Sequence, residues 1–101
     1  MKIRDILAEK KPTLSFEVFP PKTADNYQSV ETAALKIAQA GPAFMSVTYG
    51  AGGGTSQYTV QIASTIKNKG NVTPLAHLTC VSSTREGVKG ILQELKDNGI
   101  E

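Results

Sequence analysis

The stretch that decides the fold is "LSFEVFPPKT", residues 14–23, in which an alternating segment is followed at once by two prolines. Leu14, Phe16 and Val18 fall on one face of this segment, and Glu17 falls on the other. Such period-two alternation predicts a β-strand, and the prolines end it. A carboxylate within an apolar strand has to be neutralised, paired or used, because an isolated buried charge is costly. Glu17 is therefore the first candidate functional residue.

Outward from this strand, the chain alternates between strand-like and helix-like segments. Before it, Ile3, Ile6 and Leu7 have the spacing of a short amphipathic helix, which Pro12 ends. After it, segments with helical periodicity that end in glycine alternate with short β-rich runs. The predicted elements are helix 3–10, strand 13–19, helix 24–40, strand 44–49, helix 57–70, strand 72–81 and helix 82–99.

Strands that alternate with helices at intervals of about 30 residues predict βαβ units and a parallel sheet. The predicted strands have one apolar face and one face whose polar residues lie toward the C-terminal ends. A flat parallel sheet between two helical layers is apolar on both faces, whereas a barrel directs one face inward and uses its C-terminal mouth. We therefore expect an α/β fold in which an N-terminal helix precedes a (βα)3 parallel segment of the barrel type.

The composition is that of an ordinary globular protein and excludes several classes of function. Of 101 residues, 40% are hydrophobic and 20% are charged, and the net charge is +2. The basic residues are scattered, which argues against nucleic acid as a partner, and no apolar run is long enough to span a membrane. The single Cys80 rules out an internal disulfide and favours a cytoplasmic location. It falls on the helix-packed face of its predicted strand, where we expect an inert buried thiol.

Polar residues lie near the C-terminal ends of all three predicted strands: Glu17, Thr48 and His77. Residues at this end of a barrel are typical of binding and catalysis. Each also has a structural interpretation. Glu17 can pair with Lys22 or with an arginine outside this chain, His77 can be a hydrogen-bonded core or rim histidine, and threonine is common in strands. Their coincidence on successive strands favours a shared site. No His, Cys, Asp and Glu residues have the spacing of metal ligands, so no metal is expected.

The glycine-rich segment "GAGGGTS", residues 50–56, lies between a predicted strand and a predicted helix. Backbone N–H groups at such a position can hold an anion. However, no lysine follows the glycines as in a Walker A loop, and Thr55 stands where the dinucleotide fingerprint needs its third glycine. We interpret the segment as a turn that lets the backbone approach a ligand closely, or as a loop that closes over a flat cofactor ring.

Three segments together carry a resemblance to a known family. "SFEVFPPKT", "SVTYGAGGGTS" and "PLAHLTCV", with the terminal "NGI", resemble the N-terminal part of methylenetetrahydrofolate reductase. The resemblance implies a (β/α)8 barrel roughly three times as long as this chain, with FAD at its C-terminal mouth. It implies transfer of reducing equivalents from NADH or NADPH through the flavin to a folate substrate, 5,10-methylenetetrahydrofolate. Residues 1–101 would then form a single partial domain, the first third of the reductase barrel.

The resemblance also implies roles for the matching residues. Glu17 falls on the family's catalytic glutamate, a general acid that helps to open the five-membered ring of the folate. Thr48, Tyr49 and Ala51 fall in the segment that contacts flavin and nicotinamide, and His77 falls on a histidine that contacts the flavin.

The general-acid role requires a neutral carboxyl group at Glu17. Phe16 and Phe19 flank it, and we expect them to withdraw the carboxyl group from water. Desolvation disfavours the charged form of an acid and so favours the form that can donate a proton.

Two departures from the family pattern bear on what the chain does by itself. The segment "GTSQYT" lacks the charged residues that relatives often carry there, and the sequence stops before a fourth strand with its Arg-Gly-Asp segment. We expect this chain alone to be inactive and to self-associate through two open sheet edges, forming a homo-oligomer. Two alternatives stay open: a non-catalytic α/β fragment or interaction module, and a complete small α/β domain that binds an unrelated ligand.

Overall fold

The computed structural model of the chain describes residues 1–50 and 56–101, with only the backbone at Ser56. Four helices and three strands follow one another in the predicted order. A short 3-10 helix, Ala24–Asn26, precedes the second α-helix. The elements are α1 (Ile3–Ala8), β1 (Ser15–Val18), α2 (Tyr27–Ala38), β2 (Phe44–Val47), α3 (Ser56–Asn68), β3 (Pro74–Ala76) and α4 (Arg85–Asp97).

The three strands form one parallel sheet with β2 at its centre. The register aligns Glu17 of β1 with Ser46 of β2, and Ser46 with Leu75 of β3. Backbone bonding continues one residue beyond the strands, where the N–H of Thr48 donates to Val18 O at 3.1 Å. The α/β class and the parallel sheet are therefore confirmed.

One face of the sheet is covered by helices and forms the core. Met45 and Val47 of β2 are fully buried against Ile62 and Ile66 of α3. Small residues of α2, including Ala34, let that helix pack closely on the same cluster. Burying each large side chain of this kind stabilises the fold by about 1.5–3 kcal/mol relative to leaving it exposed. This face holds the apolar set predicted from the alternation, including Val18 and the half-buried Phe16.

Leu14 departs from its predicted place on the apolar face, since 59% of it is exposed. It lies one residue before β1, which is an edge strand of the described sheet. The alternation that buries Phe16 and Val18 therefore does not extend back to Leu14.

The third strand is shorter than predicted, and the expectation for Cys80 is wrong. Strand β3 ends at Ala76, and the side chain of Thr79 accepts a hydrogen bond from the Val81 N–H at 3.3 Å. Ser82 then has a φ of 60°. The chain thus leaves the sheet in a local turn, where side chains no longer alternate between two faces, and Cys80 is exposed.

Helix α4 lies within the predicted range 82–99, and none of its apolar stripe is fully buried: Val88, Ile91, Leu92 and Leu95. Thr84 accepts a hydrogen bond from the Gly87 N–H at 3.0 Å, as an N-cap does. Gly99 follows the helix with a φ of 66°, a conformation that favours glycine. No residue of α4 is buried, and Leu92 of the stripe is 51% exposed.

Among the helices that the structure describes, none combines the length and the apolar character that a membrane span requires.

Candidate active site

The carboxyl group of Glu17 lies on the sheet face opposite the helices. Alternation along β1 sends Phe16 and Val18 toward the core and therefore sends Glu17 the other way. The register places Ser46 directly beside it on β2. Ser46 Oγ donates a hydrogen bond to Glu17 Oε1 over 3.1 Å. A hydroxyl donor and a carboxyl group thus form a pair on the open face.

The imidazole of His77 approaches the same carboxyl group from the far side of β2. His77 Nε2 lies 3.7 Å from Glu17 Oε1. The two side chains are 41% and 48% exposed, so both remain accessible to a ligand. The separation exceeds hydrogen-bond length, so the contact is an ion pair only when the imidazole is protonated. Two of the predicted site residues, 60 positions apart in the chain, are therefore brought together.

The structural alternative for Glu17, a pair with Lys22, is wrong for the part of the chain that the structure describes. There, the groups that contact the Glu17 carboxyl are Ser46 and His77. The expected withdrawal of Glu17 from water is also not observed, because about half of its side chain is exposed. Phe19, one of the two residues expected to shield the carboxyl group, is itself 71% exposed.

Thr48 and His77 line an open cavity of about 600 Å³ next to this pair. The cavity lies at the C-terminal ends of the strands and mixes polar with apolar side chains. Its lining residues are Phe19, Thr48, Tyr49, Gly50, His77, Leu78 and Thr79.

The backbone at Thr48 is fixed from the helical side. Thr59 of α3 is 1% exposed, and its hydroxyl donates to the carbonyl oxygen of Thr48 at 2.9 Å. This bond ties the end of β2 to the first turns of α3, across the glycine-rich segment. Sequence analysis did not identify Thr59, because a threonine at a helical core position gives no indication of the carbonyl it will meet.

Of the two remaining predicted residues, the structure describes Tyr49 but not Ala51. Tyr49 is 4% exposed and follows Met45 and Val47 in alternation, so it lies largely on the covered side of the sheet. Its contribution to the cavity is therefore limited to a small exposed part. Ala51 lies outside the described residues, as do the glycines that follow it.

Ser46 belongs to this arrangement but was not among the candidates from the sequence. Period-two alternation placed it on the side of Thr48, yet its partner depended on the register between β1 and β2. A shift by one residue would have removed it from Glu17, because neighbouring positions point to opposite faces. Register is set by packing across the sheet, which the local sequence does not show.

Comparisons with known proteins give one family. The family model described as Methylenetetrahydrofolate reductase matches residues 2–101. "Methylenetetrahydrofolate reductase (NADH) 1" of Arabidopsis thaliana is 35% identical over 100 residues, which are 99% of this chain and 17% of the relative. "5,10-Methylenetetrahydrofolate reductase" of Pectobacterium carotovorum subsp. carotovorum is 37% identical over 87 residues, which are 86% of this chain and 29% of the relative. The chain thus spans less than a third of these relatives.

Proposed function

The chain belongs to the methylenetetrahydrofolate reductase family, and we propose that the full-length protein reduces 5,10-methylenetetrahydrofolate to 5-methyltetrahydrofolate. In this proposal FAD is the cofactor and NADH or NADPH is the reductant. The observation that carries it is the Glu17 carboxyl group, held by Ser46 and faced by His77 beside an open cavity. Family membership supports the reaction, and this geometry supports Glu17 as the proposed proton donor for it.

Glu17 acts as the general acid in this proposal. Opening the five-membered ring of the substrate breaks a carbon–nitrogen bond, whose electron pair stays on the nitrogen. The O–H bond of Glu17 breaks, its proton forms an N–H bond on that nitrogen, and Glu17 becomes a carboxylate. The carbon stays bonded to its other nitrogen, and the two atoms form an iminium cation that can accept a hydride. A positioned acid of this kind contributes about 10²–10⁴ in rate.

The proposal includes a wider fold that would shield Glu17 from water. We propose that the three βα units form the first third of a (β/α)8 barrel, with residues 1–101 as one partial domain. The open face of the sheet would then line the barrel interior, and the remaining strands would cover Glu17. Removing water from that face favours the neutral carboxyl group, as burial does for acids in general.

We propose that the open cavity holds one side of a flavin ring. Phe19 and Leu78 offer apolar surface, while Thr48, His77 and Thr79 offer polar atoms at its edge. Binding sites for flat cofactors combine apolar walls with a few polar groups in this way. Thr48, Tyr49, Ala51 and His77 are the residues proposed to hold it. When bound, the flavin supplies the hydride chemistry that the amino acids lack.

The experiment that tests this function uses the full-length gene product, purified and mixed anaerobically with each substrate in turn. We expect a yellow protein whose flavin is reduced by NADH or NADPH and reoxidised by 5,10-methylenetetrahydrofolate, with 5-methyltetrahydrofolate as product. The absence of bound flavin, or a flavin that methylenetetrahydrofolate does not reoxidise, would reject the proposal. The ratio of the two nicotinamide rates identifies the preferred reductant.

A second candidate function follows from the edges of the sheet. Strands β1 and β3 each have a neighbour on one side only in the described sheet. Unpaired strand edges tend to bind further strands. Residues 1–101 alone would therefore be catalytically inactive and would self-associate. Light scattering after size-exclusion chromatography tests this, since a folded, strictly monomeric species at high concentration would contradict it.

The predicted cellular location and partners of the enzyme are also part of the proposal. A net charge of +2 and a single cysteine suit a cytoplasmic enzyme of one-carbon metabolism. Neither nucleic acid nor a membrane is expected as a partner.

A further inference from the structure

The two oxygens of the Glu17 carboxyl group have different surroundings. Oε1 accepts the hydrogen bond from Ser46 Oγ and is the oxygen that His77 Nε2 approaches to 3.7 Å. For Oε2, no hydrogen bond or ion pair is found among residues 1–50 and 56–101. The carboxyl group is thus anchored through one oxygen, and the other remains available to a ligand.

Ser46 is well placed to hold this arrangement. Its neighbours in β2, Met45 and Val47, are both 0% exposed and fix the strand against the helices. Its backbone is paired with β1 at Glu17 and with β3 at Leu75. A serine side chain has one carbon–carbon torsion, so a fixed backbone leaves its hydroxyl few positions. The donor is therefore preorganised by the central strand of the sheet.

We propose that Ser46 is a positioning residue for Glu17, which directs the donated proton to Oε2. This inference rests on the proposed function and deepens it. In a neutral carboxyl group the carbonyl oxygen is the better hydrogen-bond acceptor, so donation from Ser46 marks Oε1 as that oxygen. The proton then resides on Oε2. Once it has left, the Ser46 hydroxyl donates to a carboxylate, and hydrogen bonds to charged groups are stronger than neutral ones.

The strengthening of this bond during proton transfer has a kinetic consequence. An interaction that is stronger after the proton has left lowers the barrier to its leaving. This lowering of the barrier affects only the half-reaction with folate, because reduction of the flavin by NADH or NADPH requires no proton from Glu17. A role in folding alone would not separate the two half-reactions.

The test compares variants of the full-length gene product in both half-reactions by anaerobic rapid mixing. Ser46→Ala is expected to slow the folate half-reaction about tenfold, and to change flavin reduction less than about twofold. Ser46→Thr keeps the hydroxyl group and should recover most of the rate. Ser29→Ala is the matched control. It removes a serine hydroxyl that makes one hydrogen bond, to Asn26 O, at an exposed position of α2.

Several outcomes would overturn the inference. A wild-type folate rate in Ser46→Ala, or an equal loss in both half-reactions, would reject the positioning role while leaving the proposed function intact. A wild-type protein that does not reduce methylenetetrahydrofolate would reject both. If Ser46→Ala does not fold, Ser46→Cys serves instead, since a thiol of similar shape is a weak donor. Ser46→Cys with wild-type folate kinetics would contradict the role.

Discussion

The two faces of the three-stranded sheet are built from the same residues in alternation, yet they serve different ends. Met45 and Val47 of β2 are fully buried under α2 and α3, while Ser46 between them meets Glu17 on the open side. The covered face holds the fold together through apolar contact. The open face carries polar groups that the fold does not need for its core. A strand can therefore supply stability and chemistry from adjacent positions, with little interference between them.

The largest expected effect comes from the open face. Glu17→Gln keeps the size of the side chain and its acceptor for Ser46 but removes the acidic proton. In the full-length protein we expect the folate half-reaction to fall by about 10²-fold or more, and flavin reduction by NADH or NADPH to stay near wild type. The free energy of unfolding should change little, because Glu17 is about half exposed. Loss of both half-reactions in a folded protein would contradict the acid role.

A substitution on the covered face should instead lower the stability of the fold. Met45→Ala opens space in the core, and we expect it to lower the free energy of unfolding by about 2–5 kcal/mol in urea titrations. Leu92→Ala is the matched control on the exposed side of α4 and should change stability by about 0.5 kcal/mol. Similar costs for both variants would show that the helices do not seal the core as described.

Thr59 connects α3 to the end of β2 and should show a smaller effect on both stability and binding. Thr59→Val keeps the shape of the side chain but leaves the Thr48 carbonyl without its hydroxyl donor. We expect a loss of about 1–2 kcal/mol in unfolding free energy, with weaker flavin binding, because the end of β2 is less fixed. Thr32→Val on the exposed face of α2 is the control. Unchanged stability and flavin affinity in Thr59→Val would contradict the bridging role.

The smallest effect is expected on the outer surface of the helical layer. Lys69 Nζ contacts Glu31 Oε1 at 2.8 Å, and this hydrogen bond, with the attraction between the charges, holds the pKa of Lys69 above its ordinary value. A raised pKa means that the contact stabilises the fold fully below the ordinary value of 10.5 and that this contribution is lost as pH rises through the raised value. Lys69→Met should therefore lower thermal stability slightly at neutral pH. The difference from wild type should vanish at strongly alkaline pH and shrink with added salt. A difference that persists under both conditions would exclude an ionic origin.

Much of the fold was accessible to local analysis. Helical periodicity located α2 and α3 to within a few residues, and the glycine after α4 marked its end. Alternation assigned Phe16 and Val18 to one face of β1 and Glu17 to the other. These patterns are informative because the buried face of a helix or strand recurs at the repeat of its backbone, and apolar residues recur with it.

Other features depended on what each segment meets in space. Strand β3 was predicted to reach Val81, but the chain leaves the sheet soon after Ala76 and exposes Cys80. The apolar stripe of α4 is only partly covered, since Leu92 is 51% exposed. In each case the local pattern indicated which structure or burial the segment favours. Whether the segment adopts it depends on the presence of a neighbouring element.

By itself, the amino-acid sequence determined the order of helices and strands, the two-faced character of the strands and the candidates Glu17, Thr48 and His77. These follow from periodicity and residue chemistry, which are local properties. Only the tertiary structure decided that Ser46 donates to Oε1 of Glu17 and that His77 approaches the same oxygen. Both contacts depend on the register of three strands, which is set by how their covered faces pack together. That packing is a property of the whole sheet, and no single segment contains it.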